Sequence, residues 1–110
     1  MSTVPDYTGW IVRAAAGRDK DGLFCVVGVD QAQKRLLLAD GKRRKYARPK
    51  AKALHHVEPL ARPRIGGPHY VEPPAGEFDH PAIQKLRQGE ALSDKALRRA
   101  LAAFRDQLEV

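Results

Sequence analysis

The residues best suited to chemistry in this chain are cations in a tight run. Between Lys34 and Lys52 stand nine Lys or Arg and a single acid, Asp40. Arg43, Arg44, Lys45, Arg48, Lys50 and Lys52 form its centre, with Lys42 just ahead of them. At such density these side chains suit a row of phosphates, each contact releasing counterions held by a nucleic-acid backbone. Contacts of this kind position a strand without reading its sequence. The plainer role for such a run is a solvated edge that blocks strand-to-strand aggregation.

A second group lies upstream. The loop Gly17-Arg18-Asp19-Lys20-Asp21-Gly22 carries Arg18 and Lys20 between two glycines. Glycine there lets backbone amides approach a phosphate, whereas Asp19 and Asp21 equally suit an ordinary polar turn. Arg13 extends the cationic surface or simply faces solvent. His55 is a surface or RNA-facing histidine. Trp10 and Tyr46 are candidates for stacking on unpaired bases; in a small domain Trp10 is the better core residue, and Tyr46 fits either place.

Other chemistries lack their parts. There is no paired-carboxylate, Ser/His/Asp or Cys/His arrangement and no phosphate-cradling Gly-rich motif, so catalysis is not expected. No cofactor is expected. His55 and His56 would point to opposite faces of a strand, and adding His69 and His80 yields no ligand spacing, so no metal site is expected. Cys25, the only cysteine, stands in the apolar run Leu23 to Val27 and reads as a small buried hydrophobe. No stretch resembles a signal peptide or a membrane span, which leads to an expected cytoplasmic location.

These cations need elements to hold them. Residues 8–15 read as a strand, 23–29 as a second with a nearly continuous apolar run, and 34–39 as a third. Asp40-Gly41 marks a two-residue hairpin into a cationic strand, 42–47, whose alternation would put Arg43 and Lys45 on one face and Arg44 on the other. Residues 52–58 supply a last short strand. Four or five short strands in about fifty residues predict a mainly β, small SH3-like barrel over 8–58. Its core would be Ile11, Val12, Phe24, Val26, Leu36, Leu38 and Leu54. A barrel of that size buries only about 60% of its unfolded surface.

The second half differs. Residues 59–78 hold most of the prolines and read as an extended Pro/Gly-rich linker. Residues 79–108 form a C-terminal α-helical segment. Asp79 caps a first helix that Gly89 ends, and Ser93 caps a second running to Leu108. Leu97, Leu101, Phe104 and Leu108 share one face, with Arg98, Arg99 and Arg105 elsewhere. The formal charge of +7 is uneven: residues 1–62 hold thirteen basic and six acidic residues, whereas 63–110 hold seven of each. The apolar helix face either folds back onto the chain or docks a protein partner or a second copy. Membrane contact is opposed by Asp94, Asp106 and Glu109.

Several short segments, in order, resemble the small bacterial KOW-domain RNA-binding proteins, relatives of a group of large-subunit ribosomal proteins. They are Gly9-Trp10-Ile11-Val12-Arg13, Ala16-Gly17-Arg18-Asp19-Lys20, Phe24-Cys25-Val26-Val27, Leu38-Ala39-Asp40-Gly41-Lys42, and Arg48-Pro49-Lys50 leading to Leu54-His55-His56. The tail Gly89 to Asp94 before a Leu/Arg helix is similar as well. Where that family tends to place glycine after Arg-Asp-Lys, this chain has Asp21. The resemblance implies a KOW-type SH3-like barrel that binds RNA in association with the ribosome and translation, but it implies no particular RNA; the expected partner is ribosomal RNA or the large ribosomal subunit. The alternative is a protein-interaction module of the transcription or translation machinery that works through its C-terminal amphipathic helix.

Overall fold

Apolar runs whose side chains point alternately up and down give the sheet two apolar faces. On strands β1 (Ile11–Ala14), β2 (Leu23–Asp30) and β3 (Arg35–Ala39), successive side chains point to opposite faces. Val12, Phe24, Val26, Leu36 and Leu38 turn to one face, where they pack with Tyr7, Trp10, Ala14 and Val57. Ile11, Cys25 and Ala39 turn to the other and pack beneath the helices. β2 reads as continuously apolar because both of its faces are covered. Of the expected core, only Leu54 remains partly exposed, at the rim of this cluster.

The computed structural model describes residues 3–68 and 71–109. β4 (Lys50–Ala53) and β5 (Val57–Ala61) complete a five-stranded antiparallel sheet of order β4–β3–β2–β1–β5. A one-turn 3-10 helix, Leu54–His56, joins β4 to β5. Register shifts between Ile11 and Val12 and between Val26 and Gly28 mark bulges, which bend strands and tighten their twist. The architecture is a small, mainly β, barrel-like sheet followed by two helices.

Several expectations need correction. The last strand expected over 52–58 is instead the end of β4, the 3-10 turn and the start of β5. Residues 42–47 are a turn, not a strand. The Asp40 carboxylate accepts the amides of Lys42 and Arg44, both at 2.9 Å, and the Arg44 carbonyl accepts those of Asp40 and Gly41. A side chain that satisfies local amides competes with the strand ladder, so pairing with β3 starts only near Lys50. The supposed two-residue hairpin is therefore a wide turn. Next, β5 runs to Ala61, so the boundary expected at 58 falls within a strand. Finally, the Pro-rich stretch does not extend freely. Ala75 donates to the Leu60 carbonyl, Arg62 to that of Gly76, and Phe78 to that of Arg62, so residues 75–78 lie parallel beside the end of β5.

Helix α1 (Pro81–Arg87) is capped by His80, whose Nδ1 accepts the Ala82 amide at 3.1 Å. Asp79, the cap expected from sequence, instead accepts a hydrogen bond from Gln84. Pro81 fits the first turn, where no amide donor is needed, and Gly89, at φ +81°, takes the left-handed conformation that ends the helix. Helix α2 (Asp94–Leu108) is capped by Ser93 as expected. Leu97, Leu101 and Phe104 are buried, while Leu108 is half exposed. Phe104 meets Phe78 edge-to-face at 5.3 Å, and both join one cluster with Ile11, Cys25, Ala39, Ile83 and Leu86. The helices and the sheet share this core.

Candidate nucleic-acid interface

β1 and β3 both pair antiparallel with β2, so they run the same way and finish at the same end. The glycine-bounded loop 17–22 leaves that end after β1, and the cationic turn leaves it after β3. Two contacts draw them together. Arg44 pairs with Asp19 at 2.8 Å, and the Asp19 side chain is only 4% exposed. Lys52 Nζ donates to the Ala16 carbonyl at 2.6 Å. The Arg44 hydrogen bond holds the Asp19 carboxyl below its ordinary value against the opposing effect of burial; the charges of Arg44, Lys52 and Arg43 lower it further. Gly17 is needed there. It sits at φ +81°, and a Cβ would come within 2.8 Å of the Lys52 ammonium.

The cationic run thus divides by task. Arg44 is half-buried and Lys52 buried, each tied to loop 17–22. Arg18, Lys20, Lys42, Arg43, Lys45, Arg48 and Lys50 are exposed. Because 42–47 is a turn, strand alternation does not sort Arg43 and Lys45 from Arg44; the partner at Asp19 does. Arg13 is half-buried on β1, with Glu58 as its register partner, two strands away from β3. His55 is exposed on the 3-10 turn, which the Ala15 amide ties to β1 by a 2.8 Å bond to the His56 carbonyl. The His55 and His56 rings lie 4.1 Å apart rather than on opposite faces.

Sequence reasoning missed the part that α2 plays. Arg98 Nη1 donates to the Gly41 carbonyl at 2.7 Å, and the Asp94 carboxylate accepts the Tyr46 amide at 2.8 Å. Gly41 lies at φ +79°, and a Cβ there would collide with the Asp94 carbonyl oxygen. Helix and turn are therefore closely fitted. Between them runs a groove of about 320 Å³ whose charged lining is Asp40, Lys42, Arg98, Arg99 and Arg105. The available signal was helical spacing: Lys95, Arg98, Arg99, Ala102 and Arg105 recur three and four apart, opposite the apolar face. A neutral sum over 63–110 concealed it.

Trp10 is fully buried, edge-on to Tyr7 at 5.1 Å, so its ring is closed to a base. Tyr46 is partly buried against the shared core. Cys25 is enclosed, and burial pushes its thiol pKa up to about 12, far from a reactive thiolate. Among the described residues no group of three or more His, Cys, Asp or Glu is placed to hold a metal ion; His69 lies outside them. Among the described residues, too, no helix is long and apolar enough to cross a membrane.

Fold and site together define a small barrel-like β domain with a cationic end buttressed by a helix. Compared with known proteins, the chain matches no protein-family model and no curated sequence.

Proposed function

We propose that this chain is a non-catalytic RNA-binding protein of KOW type that holds an RNA phosphate backbone at the cationic end of its barrel. The carrying observation is the Asp19–Arg44 pair, which brings loop 17–22 and turn 40–48 side by side. Arg18, Lys20, Lys42, Arg43, Lys45 and Arg48 stand exposed on that loop and turn. Lys50 and His55 extend that surface; Arg13 is peripheral to it. Asp21 adds support for the resemblance. It stands at φ +71°, a left-handed conformation favoured by glycine, at the position where the KOW pattern tends to carry glycine.

The partner class is structured RNA, with ribosomal RNA of the large subunit as the specific proposal and the cytoplasm as its place. The rival reading, a protein-docking helix, is disfavoured because Leu97, Leu101 and Phe104 are already buried within the chain. The test is sedimentation of a gentle lysate through gradients at low and high salt, followed by blotting for this chain. Co-migration with large subunits at low salt, stripped at high salt, is expected. Sedimentation only at the top under both conditions would remove the ribosome from the proposal.

A further inference from the structure

The C-terminal half sums to zero charge, yet its cations are not scattered. Lys42 from the turn and Arg98, Arg99 and Arg105 from α2 line one groove, with Asp40 the only acid among the described lining residues. That acid is already engaged, because its Oδ1 accepts the Lys42 and Arg44 amides. On the other side of Arg99 a second groove, of about 350 Å³, is lined by Lys85, Lys95 and Arg99, with no acid among its described lining residues. Arg99 belongs to both. Asp106 and Glu109, the acids of the last turns, line neither. Cations therefore line both grooves, from the turn along α2 towards α1, and Arg99 joins the two.

Four guanidinium or ammonium groups around one shallow groove repel one another. That arrangement is held by the fold, through Arg98 bonded to the Gly41 carbonyl and Leu101 fixed in the core. A polyanion relieves the repulsion, and a groove of this kind raises the local concentration of such a ligand. The groove abuts the same turn that carries Arg43 and Lys45. We infer that the solvent face of α2 is a second backbone-binding surface, and that the RNA crosses the 40–48 turn held from both sides. This rests on the RNA-binding reading above. One side is loop 17–22 with Arg43 and Lys45; the other is Arg99 and Arg105, continuing to Lys95 and Lys85. The contact is with phosphates, so it adds affinity and salt dependence without base preference.

The experiment uses the full chain, a labelled RNA stem-loop and a salt series, comparing Arg99→Gln/Arg105→Gln with Arg43→Gln/Lys45→Gln. All four side chains are exposed, so thermal midpoints should stay near that of the natural chain. Each cation that meets a phosphate adds about 0.7–0.9 to the slope of log affinity against log salt, so each pair should lower it by about 1.4–1.8. Loss of slope in both pairs supports the inference. Loss in the barrel pair alone overturns it while the proposed function stands. Loss in the helix pair alone overturns the barrel site and, with it, the two-sided grip. An unbound stem-loop overturns both. Should the first helix variant misfold, Lys85→Gln/Lys95→Gln carries the same test into the second groove, with the same outcomes.

Discussion

The barrel half and the helical half present cations to the same turn, yet one carries the whole formal charge and the other none. The difference lies in where each puts its acids. In the barrel half, Asp19 and Asp40 sit inside the basic region and organise it: one anchors Arg44, the other folds the turn. In the helical half, Asp94 stands in the first turn of α2, where negative charge is favoured, and accepts the Tyr46 amide. The remaining acids of α2 fall in its last turns, outside the grooves. The net charge of a segment therefore says little about the surface it contributes. An acid within a basic cluster can be the residue that assembles it.

The most disruptive way to probe this comparison is to separate the halves. Phe104→Ala removes a fully buried ring from the core that helices and sheet share. A loss of about 3–5 kcal/mol is expected in urea denaturation. Both halves should still unfold in one transition, and a two-step curve would show that the helices are only loosely attached.

A smaller effect comes from the acid at the centre of the basic end. Asp19→Asn keeps the shape but removes the charge that holds Arg44, and should cost about 1–2 kcal/mol at neutral pH. The sign with pH follows from the lowered carboxyl pKa. The folded state binds the proton less readily than the unfolded chain, so the pair stabilises fully above the unfolded carboxyl pKa. That stability fades as pH falls through the lower, folded value. Natural and Asn chains should therefore converge in acid. A difference that persists unchanged below that range would mean Asp19 acts by packing alone.

The mildest change is Asp21→Gly. Relief of a left-handed backbone, partly offset by the greater freedom of glycine in the unfolded chain, should raise stability by about 0.5 kcal/mol. RNA affinity should rise slightly as an acid leaves the site. Lower stability, read from the thermal midpoint, would show that the Asp21 side chain has a local role.

Much of the fold was legible in its apolar runs. They marked Val12, Phe24, Val26, Leu36 and Leu38 as core, though Ile11, expected beside Val12, packs under the helices instead, and the helical period with Ser93 placed α2. The turn was misread for a physical reason. Asp40-Gly41 matches a tight hairpin signal, but the Asp40 side chain captures amides up to Arg44 and widens it. The cations of the site were visible as composition. Which of them are bound to the protein was not, because Arg44–Asp19 joins residues 25 positions apart. The α2 contribution was hidden for the same reason, since Arg98 meets Gly41 across 57 positions.

The most direct test of the central claim is to measure RNA affinity across a salt series for the natural chain and for Arg43→Glu/Lys45→Glu. Seven exposed cations of loop and turn, Arg18, Lys20, Lys42, Arg43, Lys45, Arg48 and Lys50, limit the slope from the barrel to about −6. The account predicts a linear fall in log affinity with log salt, and a loss of at least about tenfold at low salt in the reversed variant. Affinity that ignores salt, or that survives the reversal unchanged, would contradict it.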